Sequence, residues 1–213
     1  MTDIKLIAID LDGTLLDSNR ELSEENYQAI QDAKAAGIQV VLCTGRPLRS
    51  MNYLLDEIGL KGENDLAITY NGGLIQKTKT GEVVHELTLD RKDSLSVYEM
   101  ATDFNLPVNF IDLDYIYEPP YPKDRDSLYN KAVTNIPEDQ ALQFKAVDIE
   151  KLPNPFKINK IVLDVLDYLD WTTQDEVRVN IEKKDGQEWV LDIVKAPDED
   201  LGIIFDEPLI RFL

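Results

Sequence analysis

The chain has 213 residues, 43% of them hydrophobic, which is enough for a buried core and more than a disordered chain contains. Its net charge of −19 would repel nucleic acids and anionic membrane surfaces, so we expect neither as a partner. We also expect no membrane helix, because no apolar run approaches roughly 20 residues, and no signal peptide. The single cysteine, Cys43, cannot form an intrachain disulfide, and a cytoplasmic location is expected.

The first eighty residues alternate between short apolar runs, typical of buried strands, and segments with helical spacing. The strands are predicted at 5–10, 38–43 and 65–70, and the helices at 23–36 and 47–59. Ser23 would cap the first helix and Gly37 would end it. Because strands and helices alternate, we predict an α/β fold with a three-layer, Rossmann-like core built on a parallel sheet.

After Asn71-Gly72-Gly73 the pattern changes to a mixture of strands and helices. The predicted elements are a hairpin at 74–87, a helix at 93–104, an irregular proline-rich stretch at 118–122 and strands at 108–111 and 157–165. This pattern indicates a second, α+β module inserted after the third strand. The predicted parts are a catalytic core at 1–80, the inserted module at 81–190 and a tail at 191–213 that returns to the core.

The sharpest motif is Asp10-Leu11-Asp12-Gly13-Thr14, directly after the first apolar strand. Residues i and i+2 of an extended chain point to the same side, so Asp10 and Asp12 would converge where open α/β sheets bind ligands. Adjacent carboxylates repel each other, and a divalent cation that prefers hard oxygen ligands, such as Mg²⁺, relieves the repulsion. The alternative is an exposed acidic turn without function, which the apolar strand before the motif and the Gly-Thr after it disfavour.

A second candidate segment, Thr44-Gly45-Arg46, ends the second strand and would lie beside the Asp10 loop. The Thr44 hydroxyl and the following amides could hold phosphate oxygens, or Thr44 could simply cap a helix. Arg46 would either reach the substrate or line the rim of the site. Asn71, after the third strand, would either touch the substrate or only take the left-handed conformation of a turn.

Three segments resemble the haloacid-dehalogenase superfamily, and more narrowly its Cof-type, capped sugar-phosphatase-like branch: Ile7–Leu15, Val40–Pro47 and Thr69–Gly73. Further along, Phe156–Ile161 resembles a strand of the cap in that branch. The resemblance implies that the inserted module is a cap. It also implies a phosphatase that is magnesium-dependent and acts on a small phosphorylated metabolite through an aspartyl-phosphate intermediate.

The resemblance also implies roles for individual residues. Asp10 would be the nucleophile, Asp12 the general acid and base, and Thr44 a ligand of the phosphoryl oxygens. Mg²⁺ would be held by the Asp10 side chain and the Asp12 carbonyl. The residues expected to bind substrate are Gly45, Arg46 and Asn71.

The sequence departs from the family near its end. The family has a lysine near the return of the cap to the core, and a later Gly-Asp motif that completes the metal site. Trp189–Val194 resembles the return segment, but Lys195 follows it too closely, and Asp198, Asp200 and Asp206 are metal candidates by composition only. We therefore expect a core without its C-terminal part, weak magnesium binding and low turnover.

The sequence also allows two alternative functions. One is a truncated, weakly active or inactive family member that binds a ligand or a partner. The other is a phosphoacceptor signalling domain, which is disfavoured because Thr69-Tyr70-Asn71 stands where its acceptor Asp would be. In an incomplete core the first strand, Ile4–Ile9, would be an exposed edge. Gly202–Phe205 or a second subunit of a homo-oligomer would then have to cover it.

Overall fold

The computed structural model describes the backbone of residues 4–17, 19–120, 127–134, 136–148, 151–152, 157–163, 176–184, 188–196 and 210–212. The first of its sheets has the strand order β1-β2-β3-β4-β5. These strands are β1 (Leu6–Asp10), β2 (Gln39–Cys43), β3 (Leu66–Thr69), β4 (Leu74–Lys77) and β5 (Val83–Glu86). The first three pair in parallel and the last two are antiparallel, which confirms the predicted α/β class.

Two helices connect the parallel strands: α1 (Glu24–Ala35) and α2 (Asn52–Glu57), the latter preceded by a short 3₁₀ helix at Leu48–Met51. Ser23 caps α1 as predicted, since its hydroxyl accepts a hydrogen bond of 3.2 Å from the Asn26 amide. Both helices are held by apolar packing, because Ile30 of α1 and Leu54 and Leu55 of α2 join one buried cluster with Val40 of β2.

The hairpin of β4 and β5 carries the first sheet past the boundary predicted at residue 80. Its turn closes with a hydrogen bond of 2.9 Å from the Lys77 amide to the Glu82 carbonyl, and β5 then pairs with β4 as far as Glu86. Residues 81–86 were assigned to the inserted module, but the backbone ladder holds the last four of them in the first sheet. The division of the chain into domains stays a prediction.

The second sheet has the order β12-β9-β6-β7-β8. Its strands are β6 (Val108–Ile111), β7 (Tyr115–Glu118), β8 (Gln143–Ala146), β9 (Lys160–Leu163) and β12 (Ile210–Phe212). Two helices accompany it, α3 (Arg91–Asp103) and α4 (Leu128–Val133). The predicted helix at 93–104 and the strand at 108–111 are confirmed. The sequence did not predict β7, β8 or α4, each of which is only four to six residues long.

The tail does not return to the first sheet in the described residues. The strands β10 (Glu176–Lys184) and β11 (Glu188–Ala196) form a separate antiparallel pair. The strand β12 pairs in parallel with β9, and the return of residues 191–213 to the core stays a prediction. Of the described helices, none is both long enough and apolar enough to cross a membrane.

Among the described strands β1 lies at an edge of the first sheet, as predicted for Ile4–Ile9. Ile4 and Leu6 are 62% and 51% exposed, although both are large apolar side chains. Gly202–Phe205, proposed as a cover for this edge, lies outside the described residues. Because an open apolar edge can pair with another chain, β1 is a candidate contact surface.

Hydrogen bonds between side chains and backbone join the two sheets. The Tyr70 hydroxyl, at the end of β3, donates to the Asp112 carbonyl at 3.0 Å. Just before β9, Lys157 and Asn159 donate to the two carboxylate oxygens of Glu86 at 2.8 and 3.1 Å. Partial burial raises the pKa of Glu86, but these hydrogen bonds outweigh it and hold that pKa below its ordinary value.

Candidate active site

The carboxyl end of β1 continues into a tight turn that exposes two carboxylates. Leu11 is fully buried, whereas Asp10 and Asp12 on either side of it are exposed. The turn is closed by a hydrogen bond of 3.1 Å from the Leu15 amide to the Asp10 carbonyl. Gly13 has a φ of +76°, a conformation that favours glycine. Burial of Leu11 therefore fixes the loop and leaves both carboxylates facing solvent.

The end of β2 lies directly beside this turn. Asp10 pairs with Cys43 in the parallel ladder, so Thr44 follows at the same edge of the sheet. Thr44 is 6% exposed, and its hydroxyl accepts a hydrogen bond of 3.2 Å from the Arg46 amide. Burial raises the pKa of the Cys43 thiol, and the negative charge of Asp10 raises it further, so Cys43 is a poor nucleophile.

The end of β3 completes the edge. The Asn71 amide donates to the Thr44 carbonyl at 3.2 Å, which places Asn71 next to the Thr44 turn. Tyr70 and Asn71 have φ values of +53° and +57°, so the left-handed conformation that the sequence predicted for Asn71 is present. Two consecutive non-glycine residues in this region carry backbone strain, which is held here by the buried Tyr70 side chain.

Arg46 binds the carboxylate of Asp12. Its Nε donates to Asp12 Oδ2 at 3.0 Å, and its Nη2 donates to the other carboxylate oxygen. Burial lowers the pKa of Arg46, but the bond to Asp12 outweighs it and raises that pKa above its ordinary value. Arg46 therefore holds the Asp12 carboxylate beside the Thr44 turn, and whether it contacts the substrate or lines the rim of the site stays a prediction.

Two cationic side chains make contacts between this region and later parts of the chain, Lys160 from β9 and Arg49 from the 3₁₀ helix at Leu48–Met51, and sequence reasoning missed both. Lys160, in β9, donates from Nζ to the Gly45 carbonyl at 3.3 Å, and Arg49 donates to the Ala141 carbonyl at 3.2 Å. No local sequence pattern indicated Lys160, because it lies 115 positions from Gly45. Lys195, the lysine considered in the sequence, pairs with Val177 in the separate sheet of β10 and β11.

The oxygen donors at the end of β1 are of the chemical type that binds Mg²⁺. In the residues that the structure describes, no three His, Cys, Asp or Glu side chains gather into a metal-binding group. Asp10 and Asp12 offer two exposed carboxylates, and Mg²⁺ ordinarily takes one or two carboxylates together with waters and phosphate oxygens. Asp198, Asp200 and Asp206 lie outside the described residues.

Comparison with known proteins identifies the family. A model of the haloacid dehalogenase-like hydrolases matches residues 7–196. The Bacillus subtilis protein named "Putative phosphatase YxeH" is 40% identical over 74% of this chain and 56% of its own length. The 5-amino-6-(5-phospho-D-ribitylamino)uracil phosphatase YwtE of the same organism is 32% identical over 71% of this chain and 54% of its own length.

The fold comparison agrees with this assignment. The crystal structure of a haloacid dehalogenase-like hydrolase from Bacteroides thetaiotaomicron covers 91% of this chain, and 71% of that protein is matched, with a TM-score of 0.59 and 23% identity. The chain therefore belongs to the haloacid dehalogenase-like hydrolase family. It spans little more than half the length of the two Bacillus subtilis relatives.

Proposed function

We propose that this protein is a magnesium-dependent phosphohydrolase that acts on a small phosphorylated metabolite through an aspartyl-phosphate intermediate on Asp10. One observation carries the proposal: the parallel pairing of β1 with β2 sets the exposed carboxylates of Asp10 and Asp12 beside the Thr44 turn. The groups that we propose as nucleophile, proton carrier and phosphate-binding donors thus lie at one edge of the sheet, which supports the proposal. The names of the relatives support a phosphatase.

In the first step the Asp10 carboxylate attacks phosphorus, and the bond from phosphorus to the ester oxygen breaks. Protonated Asp12 gives its proton to that leaving oxygen. In the second step Asp12 takes a proton from water as the water oxygen attacks phosphorus, and the Asp10 carboxylate is released with inorganic phosphate. The Thr44 hydroxyl and the amides of Gly45 and Arg46 hold the phosphoryl oxygens throughout.

Arg46 links substrate binding to the position of the Asp12 side chain. In the free protein its guanidinium binds both oxygens of the Asp12 carboxylate. A phosphate ester offers the guanidinium a second anionic partner. Binding of the substrate would then loosen the pair and leave the Asp12 carboxyl group able to contact the leaving oxygen.

Asp10 and the Asp12 carbonyl would hold the magnesium ion. When bound, Mg²⁺ supplies positive charge that offsets the charge of the phosphoryl group. The second sheet and its helices would act as the cap and choose the leaving group. The names of the relatives support a small phosphorylated substrate, since one of them is a 5-amino-6-(5-phospho-D-ribitylamino)uracil phosphatase.

The test is hydrolysis of an aryl phosphate with Mg²⁺, measured for the wild-type chain, Asp10→Asn and Asp12→Asn. Both variants should lose activity, because an amide neither forms the acyl phosphate nor carries the proton. Asp32→Asn is the matched control, since Asp32 is exposed on α1, where its carboxylate accepts a hydrogen bond from the Gln28 side chain. Full activity of Asp10→Asn, or activity that a chelator does not lower, would contradict the proposal.

A further inference from the structure

Lys160 is a lysine almost completely buried at the junction of the two sheets. It is 8% exposed, and it lies in β9 of the second sheet rather than in the sheet that carries Asp10. Its Nζ donates to the Gly45 carbonyl at 3.3 Å and lies 5.8 Å from the centre of the Tyr129 ring. The ammonium group therefore contacts the turn that the proposed mechanism assigns to phosphate binding.

Burial of this ammonium carries an energetic cost that its position must offset. A charged amine loses hydration when it leaves water, and both a carbonyl oxygen and an aromatic ring return part of that loss. A charged phosphoryl oxygen is a stronger acceptor for an ammonium group than a neutral carbonyl, because attraction between opposite charges adds to the hydrogen bond. A phosphate beside Gly45 would therefore attract the Lys160 ammonium.

Because the whole chain is strongly acidic, a positive charge beside the site would favour the binding of an anionic substrate. With a net charge of −19, the protein repels an anionic substrate unless positive groups reverse the field locally. Arg46 is already bound to Asp12, so its charge is partly neutralised in the free protein. Lys160 adds a compact positive charge that contacts the same turn at the Gly45 carbonyl and comes from a different sheet.

We propose that Lys160 is a substrate-binding residue, supplied by the second sheet, whose ammonium binds the phosphoryl group held at the Thr44-Gly45-Arg46 turn. The assignment rests on the proposed function. In the free protein the ammonium is held on the Gly45 carbonyl, and in the complex it binds a phosphoryl oxygen. The second sheet thus contributes to phosphate affinity as well as to the choice of leaving group.

Phosphate binding tests this directly and does not depend on turnover. The dissociation constant of inorganic phosphate is measured by titration calorimetry with Mg²⁺ for the wild-type chain, Lys160→Met and Lys160→Arg. Lys160→Met keeps the aliphatic stem and should weaken binding about tenfold or more, whereas Lys160→Arg keeps the charge and should retain most of it. Lys145→Met is the matched control, because Lys145 is exposed in β8 of the same sheet. This variant should bind inorganic phosphate with the affinity of the wild-type chain.

A wild-type measurement covers the case in which Lys160→Met does not fold. Acylation by acetic anhydride, followed at Lys160 and at Lys145 by mass spectrometry, should slow at Lys160 alone when phosphate is added. Equal phosphate affinity of wild type and Lys160→Met, or acylation of Lys160 that phosphate leaves unchanged, overturns the assignment and leaves the proposed function standing. A wild-type chain that neither binds phosphate nor hydrolyses an aryl phosphate overturns both.

Discussion

Gly13 and Gly37 are a matched pair of glycines with the same backbone conformation in different parts of the fold. The φ angle is +76° at Gly13, in the turn after Asp10, and +77° at Gly37, just after α1. A Cβ atom added at either position would meet no heavy atom within 4 Å. Replacement by alanine therefore strains the backbone at both positions without a steric clash.

The two alanine variants should lose similar stability. A left-handed conformation costs a residue with a Cβ about 1–2 kcal/mol, and the stiffer unfolded chain returns about 0.4–1 kcal/mol of this. The net loss in the free energy of unfolding should be about 1 kcal/mol for Gly13→Ala and for Gly37→Ala. In a chain of 213 residues such a loss lowers the thermal midpoint by about 2–4 °C.

Only Gly13→Ala should also impair catalysis. Gly13 directly follows Asp12, and a small displacement of a catalytic group is costly, so hydrolysis of an aryl phosphate should fall about tenfold or more. Gly37→Ala should keep wild-type turnover below its thermal midpoint. Thermal melts of both variants measure the loss of stability, and initial rates measure the loss of turnover. Equal turnover of the two variants, or an unchanged midpoint in Gly37→Ala, would refute the reasoning.

Three further predictions concern the junction and the edge of the first sheet. Tyr70→Phe should lower the free energy of unfolding by about 1 kcal/mol in urea denaturation, because the bond to the Asp112 carbonyl is lost; an unchanged value would contradict it. Lys157→Met should cost less than about 1 kcal/mol at neutral pH. That difference should vanish in acid titrations of stability as pH falls through the lowered pKa of Glu86, and a pH-independent cost would count against the pair. Leu6→Lys should change stability by less than about 0.5 kcal/mol and reduce any self-association in sedimentation, since Leu6 is 51% exposed; unchanged association would exclude β1 as the contact.

The sequence predicted the first sheet well because its signals are local. The apolar runs at β1, β2 and β3 indicate strands, although β1 is partly exposed rather than buried, and Ser23 forms the cap that its position before Glu24 and Glu25 indicates. The site followed from a rule about parallel sheets, since side chains at the carboxyl ends of neighbouring strands share one edge. Asp10, Thr44 and Asn71 are brought together in this way.

The remaining features depend on contacts between distant parts of the chain. The pair of Arg46 with Asp12 spans 34 positions, and the contact of Lys160 with Gly45 spans 115, so neither leaves a periodic pattern. The sequence pattern of the hairpin of β4 and β5 is the same whether the hairpin extends the first sheet or begins a new module. Its place is decided by the ladder that β4 forms with β3, which a single sequence does not encode locally.

The central claim is that Asp10 carries the phosphoryl group, and a trapping experiment tests it most directly. Asp12→Asn protein is mixed with Mg²⁺ and 2,4-dinitrophenyl phosphate, whose leaving group departs without a proton donor. Acid quenching and peptide mass spectrometry then locate any phosphoryl group. We expect one phosphoryl group on Asp10, because the variant lacks the base that activates water. Hydrolysis by the wild-type chain with no phosphoryl group on Asp10 of the variant, or with the label on another residue, would contradict it.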